Sequence, residues 1–135
     1  MAWDDAVSAV ARKHSEDMAR RNYFNHLSPE GQNSVDRCRL ASINISKNPS
    51  GGVYYLGCSE NIFQCSLVKV YWHNKSGVLA RVEYYTLTEI AELAVKGWMG
   101  SQGHRENILK SYWRTEGIGI AISSGGDVYV TQNFN

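Results

Sequence analysis

Near the end of the chain, Gly117-Ile118-Gly119-Ile120-Ala121-Ile122 and the run from Val128 to Phe134 alternate with a period of two. They lie on either side of Ser123-Ser124-Gly125-Gly126-Asp127. Alternation at that period is the signature of paired strands, and the small polar residues between them suit a turn, so a terminal β-hairpin is expected. The beginning of the chain has a different period. Trp3, Ala6, Val7, Val10, Ala11 and Met18 recur at steps of three and four, with Arg12, Lys13, Glu16 and Asp17 between them. That spacing predicts an amphipathic helix over 3–21 with those charges on the wet side. Helices first, strands last and no βαβ rhythm indicate an α+β arrangement with an antiparallel sheet.

The segments between are read more coarsely. Asn25-His26-Leu27-Ser28-Pro29-Glu30-Gly31 is a loop punctuated by Pro and Gly. A short helix follows, capped by Asn33 or Ser34, with Val35, Cys38, Leu40 and Ala41 facing inward. Ser46 to Gly57 is loop-like, with Pro49 and the Gly51-Gly52 pair. Leu67 to Trp72 and Val78 to Tyr85 are β-prone and flank Asn74-Lys75-Ser76-Gly77, a hairpin turn. Thr86-Leu87-Thr88-Glu89 has the chemistry of a helix start. Leu87, Ile90, Ala91, Ala94, Val95 and Trp98 then mark a buried face, and His104 to Leu109 is a further short helix.

The chain of 135 residues has the length of one domain. Fourteen basic residues against thirteen acidic ones leave a net charge of +1, which gives no electrostatic reason to expect nucleic acid. No run of about 18 apolar residues is present, so no membrane span is encoded. The start has no charged and apolar leader, and the chain is read as an excised domain whose export signal lay elsewhere. Of the three cysteines, Cys58 and Cys65 are near enough to close a small loop, and free buried thiols are the equal alternative.

The familiar hydrolase and phosphate-loop signatures are missing. Among four histidines, His14, on the first helix near its polar side, and His73, beside a turn, are expected to be solvated or capping residues. His26 and His104 sit in a loop and at a helix start, where side chains converge on clefts. Arg105 is expected to brace a loop carbonyl or Glu106, and Trp98 and Trp113 to lie in the core.

Five blocks occur in order: His14-Ser15-Glu16-Asp17-Met18-Ala19; Tyr23-Phe24-Asn25-His26 with Ser28-Pro29-Glu30-Gly31; Ser59-Glu60-Asn61-Ile62; the run from Trp98 to Leu109; and Thr131-Gln132-Asn133-Phe134. Together they resemble the CAP superfamily of cysteine-rich secretory, antigen-five and pathogenesis-related proteins, in its compact bacterial and archaeal branch. The resemblance covers the chain as one domain over 1–135, with an insertion around 64–85. It implies a three-layer α/β/α sandwich with a mainly antiparallel sheet and a cleft lined by two histidines and two acids. Carried over, the histidines are His26 and His104 and the first acid is Glu60. The second acid falls at Ser101, a departure that weakens any mechanism needing two carboxylates.

The expectation is therefore a monomeric extracellular or cell-surface binding module for a protein, lipid or sterol. His26 and His104 would hold Zn²⁺ or another divalent cation weakly. The alternative implied by the family is a metal-assisted hydrolase with Glu60 as general base. A third reading is an adhesive domain whose histidines matter only for packing.

Overall fold

The computed structural model describes residues 1–48, 51–52 and 54–135. In chain order its elements are β1 (Ala2–Trp3), α1 (Asp5–Arg21), α2 (Ser34–Leu40), β2 (Ser46–Lys47), β3 (Tyr55–Leu56), β4 (Ser59–Ser66), β5 (Val68–His73), β6 (Leu79–Tyr84), α3 (Leu87–Gly100), α4 (Gln102–Leu109), β7 (Thr115–Ile122) and β8 (Asp127–Phe134). The main sheet is ordered β1-β7-β8-β4. Its long pairings are antiparallel, and the short β1 joins β7 in parallel. α1 covers one face of the sheet, with α2 beside it, and α3 packs on the other. This is the α/β/α sandwich expected.

Why α1 lies where it does follows from two glycines. Gly117 and Gly119 of β7 face the helix so closely that a Cβ on either would collide with the backbone of Val7 and Ser8, or of Ala11 and Arg12. The Ser15 hydroxyl donates to the Gly119 carbonyl at 2.9 Å and shares a hydrogen bond with Thr131 at 2.8 Å. A helix pressed this near a strand needs a small residue beneath each crossing turn. On this side Met18, Ile62 and Tyr129 form a buried cluster, and Val10 joins Cys38, Ile45 and Cys58 in another. On the opposite side Ile90, Ala94 and Trp98 of α3 meet Val128 and Val130. The Trp98 indole donates to the Ile62 carbonyl at 2.9 Å.

Several expectations are corrected. The first helix starts at Asp5, because the Asp4 carboxylate accepts from the amides of Ala6 and Val7 at 2.8 and 3.2 Å and caps it. Trp3 therefore lies outside the helix and is exposed, as is Ala6. Leu40 and Ala41 of the second helix region are exposed rather than inward. Leu87, Ala91 and Val95 of α3 likewise face out, because the sheet covers only the stripe of Ile90, Ala94 and Trp98. Helix α2 is capped by Asn33 and α3 by Thr86, each in a reciprocal capping box, with Asp36 and Glu89 as the returning side chains. Within the loop-like stretch, Ser46–Lys47 and Tyr55–Leu56 pair as a two-stranded ribbon; Pro49 lies outside the described residues.

The cysteine pairing differs too. Cys38 and Cys58 are bonded, tying α2 to the start of β4, and Cys65 is free and half-buried. Strand β4 carries Cys65 away from Cys58 in an extended run that separates the two sulfurs. The bond closes a separation of 20 residues. Reducing it is expected to lower the unfolding free energy by about 3 kcal/mol. Urea midpoints with and without reductant measure this, and equal midpoints would contradict it.

Candidate functional site

Strand β4 is the edge of the main sheet, and its alternation sends neighbouring side chains to opposite faces. Glu60 faces the α1 and α2 side and is buried. Its Oε1 accepts from His26 Nδ1 at 2.9 Å, with His14 Nε2 at 3.8 Å. Its Oε2 accepts from Arg37 Nη2 at 2.6 Å and from the Asn133 amide, directly across the sheet, at 3.2 Å. Burial alone would raise this carboxyl. The hydrogen bond from His26 and the guanidinium of Arg37 outweigh it, and Glu60 titrates below the ordinary carboxylate range.

The loop that presents His26 is held at several points. Asn22 takes the left-handed conformation that ends α1. His14 Nε2 donates to the Asn25 carbonyl at 3.0 Å, and Arg37 Nη1 donates to the carbonyls of His26 and Gln32 at 3.1 and 2.9 Å. Arg21 grips Glu30 with both terminal nitrogens, at 3.0 and 2.6 Å. Arg37 thus orients both the carboxylate and the loop of the histidine that binds it. Neither Arg37 nor His14 was singled out as functional in the sequence. His14 in particular is corrected: it is 2% exposed and part of the Glu60 network. The spacing Val7, Ala11, His14, Met18 was the available signal, since it puts the imidazole in the apolar stripe.

Asn61, next along β4, faces the other way. Its amide donates to the His104 carbonyl at 3.2 Å, and its carbonyl oxygen accepts from Asn107 at 3.0 Å. Asn107 also accepts from Ser59 at 2.9 Å and donates to the Glu60 carbonyl at 3.3 Å. His104 therefore approaches from the α4 side. Burial first, and the neighbouring His26 second, hold its imidazole below the ordinary range, so it favours the neutral form. Ser101, in the place of the second acid, ends α3 and begins α4, and its side chain makes no capping bond. Arg105 braces the Met99 carbonyl at 3.2 Å. Trp98 and Trp113 are core residues, with the Trp113 indole donating to the Asn107 carbonyl at 3.0 Å.

Two concavities flank this network. One, of about 400 Å³, opens at His26 and Glu60 and is lined by Ser34, Ser59, Lys110 and Trp113; His104 is outside its lining. The other, of about 600 Å³, lies between α1 and α2, with His14 and Arg37 in its wall. Among the described residues no three His, Cys, Asp or Glu side chains are grouped to hold a metal ion. The donors at hand are His26, whose Nε2 is left over once Nδ1 serves Glu60, and His104. Two imidazole donors are fewer than the three protein ligands of even an open zinc site.

Acid should destabilise the network. Burial first of all lowers the His14 pKa below its usual 6.5, despite the opposing pull of Glu60. An unfolded chain would take up that proton first, so stability falls as pH drops below about 6.5. Glu60, also depressed, adds a further loss below about 4.5, where the unfolded carboxyl protonates before the folded one. Urea unfolding across this range should show a steady decline. Stability that rises on acidification would overturn the neutral assignment of His14.

Comparison with known proteins places the chain. The model of the cysteine-rich secretory protein family, CAP, matches residues 1–134, and the chain belongs to that family. It is similar to two Bacillus subtilis (strain 168) proteins, the uncharacterized membrane protein YlbC and the uncharacterized protein YkwD. Each is 29% identical, over 134 and 129 residues, or 99% and 96% of this chain. The chain spans only 28% and 37% of those relatives' lengths. Among solved structures, an extracellular protein containing an SCP domain from Bacillus anthracis str. Ames superposes with a TM-score of 0.61 at 28% identity. That match covers 99% of this chain and 33% of that one. An outer surface protein from Borrelia burgdorferi shares the fold, with a TM-score of 0.61 at 13% identity and coverage of 99% and 75%. No helix among the described residues is long and apolar enough to cross a membrane.

Proposed function

We propose that this domain works at or outside the cell surface as a binding module, through the cleft at the edge of β4. The observation that carries this reading is the engagement of Glu60: both carboxylate oxygens are held by donors, in a side chain 2% exposed. A general base needs a free lone pair aimed at a water and an affinity for the proton; Glu60 has three hydrogen bonds on its two oxygens and its pKa is depressed, which makes it a poor base. This counts against the hydrolase alternative, which needs Glu60 as its base. The Cys38–Cys58 disulfide supports an oxidising compartment, as does the extracellular description of the Bacillus anthracis relative.

The occupant we favour is a weakly bound divalent cation between His26 and His104, with water completing its shell and Glu60 fixing the His26 tautomer. Zinc titration followed by imidazole NMR tests it. His26 and His104 signals should move together in the range of about a millimolar, consistent with only two protein ligands, while exposed His73 stays still. Unmoved His26 and His104 signals would remove the cation. Turnover on a peptide substrate that survives in the wild type and is lost in Glu60→Gln would remove the binding reading in favour of hydrolysis.

A further inference from the structure

Of the segment 64–85 read as an insertion, Gln64 to Ser66 complete β4 and pair with β8, and Leu67 to Tyr85 forms an arm. Its base is fixed to the body: the Leu67 amide donates to the Gly126 carbonyl at 2.7 Å, and the Tyr85 amide to the Leu67 carbonyl at 2.9 Å. Leu67 and Tyr85 pack against the α3 core, and Lys69 is paired with Glu83 and with Glu89 of α3. Beyond that base, β5 and β6 pair only with each other. Every residue from Tyr71 to Arg81 is exposed.

That exposed stretch has an unusual composition for a solvated ribbon. Tyr71, Trp72, Val78 and Leu79 are in it, with Tyr71 57% and Val78 59% exposed. A two-stranded ribbon in water is stable only marginally and gains from a covered face, and apolar side chains clustered on a surface mark a contact site. The charges decide which contact. Between Val70 and Val82 the charged side chains are Lys75 and Arg81, with His73 at the end of β5 and no acid. The Arg81 guanidinium lies over the Trp72 ring at 4.5 Å, directly across the ribbon. The chain as a whole, by contrast, is nearly neutral. Aromatic rings with an apolar body and a polar tip, set among cations, match the headgroup layer of an anionic bilayer.

We infer that the β5–β6 arm is a membrane-surface anchor. It seats Trp72, with Val78 and Leu79 beside the turn, at the acyl boundary of an anionic bilayer while Lys75 and Arg81 meet lipid phosphates. The inference stands apart from the cleft, since none of these residues lines it.

Cosedimentation of the full chain with phosphatidylcholine vesicles, with and without about 30% phosphatidylglycerol, tests it. Binding should require the anionic lipid and weaken as salt rises above about 0.1 M. The Lys75→Ala/Arg81→Ala pair should reduce it by about fivefold for each cation removed, and Trp72→Ala/Leu79→Ala by at least about tenfold. These positions are exposed, so both variants should unfold at the wild-type urea midpoint. Brominated acyl chains should quench tryptophan fluorescence in the wild type and much less in Trp72→Phe. Absence of binding to anionic vesicles, wild-type binding by the variants, or equal affinity for a soluble poly(glycerol phosphate) without acyl quenching would each overturn the anchor. The last of these would assign the arm to an anionic polymer instead.

Discussion

Gly119→Ala is expected to prevent folding or to lower stability by at least about 4 kcal/mol, far beyond the usual effect of one added methyl. The new Cβ would sit inside the backbone of α1 at Ala11 and Arg12, with no flexible side chain to move aside. Relief would require lifting the helix from the sheet. That would open the contact of Met18 with Ile62 and Tyr129 and break the Ser15 hydrogen bond to the Gly119 carbonyl. Gly97→Ala makes the contrast. There the added methyl meets the Phe63 ring at an ordinary 3.6 Å, inside α3, and should stabilise by up to about 1 kcal/mol through helix propensity. Urea denaturation of the two variants checks both signs. A Gly119→Ala protein with wild-type stability would mean that the helix does not approach β7 as closely as described.

Arg37→Ala has the second large effect, a loss of about 3–5 kcal/mol, as when one partner of a buried ion pair is removed. The arginine side chain is 11% exposed and the glutamate 2%, so little water reaches the charge left behind. Two carbonyls, those of His26 and Gln32, lose their donor at the same time. The Glu60 carboxyl should then titrate upward, since the guanidinium is one of the groups that keeps it down. His26 should lose its fixed position as its loop loosens. Thermal or urea unfolding gives the first readout, and imidazole NMR line widths at His26 give the second. A variant with unchanged stability and a sharp His26 signal would show that Arg37 is peripheral to the network.

How far the sequence reached is clearest at particular residues. The terminal hairpin was legible because two β-prone runs flank a small polar turn, and β7 and β8 pair antiparallel there, although β8 is a central strand buried along nearly its whole length rather than in alternation. The two capping boxes were half legible: Thr86 and Glu89 were identified by their spacing, whereas Asn33 could not be separated from Ser34 without the Asp36 return bond. Strand β4 was not assigned. Its residues Ser59-Glu60-Asn61-Ile62 have no alternation of apolar with polar, because Glu60 and Asn61 are both buried in hydrogen-bond networks on opposite faces. Polar burial of this kind hides a strand from hydropathy. The histidine–carboxylate pair was reached through family motifs, and the hydrogen bond between His26 and Glu60 is a tertiary fact of residues 34 positions apart. Arg37 was invisible for the same reason: nothing local marks an arginine on a short helix as the partner of a distant glutamate. The cysteine pairing failed because proximity in sequence was weighed, while β4 carries Cys65 away in an extended line and α2 brings Cys38 alongside.

The disulfide has a kinetic consequence. Cys38 directly follows Arg37, and Cys58 shortly precedes Glu60, so the covalent link runs beside the ion pair. When α2 frays, guanidinium and carboxylate stay tethered close to each other, at a high effective molarity. They should re-engage far faster than two untethered segments could. In the oxidised protein, hydrogen exchange in α2 should therefore report brief, shallow openings; once the sulfurs are reduced, the same amides should exchange through longer and wider excursions that carry the His26 loop with them.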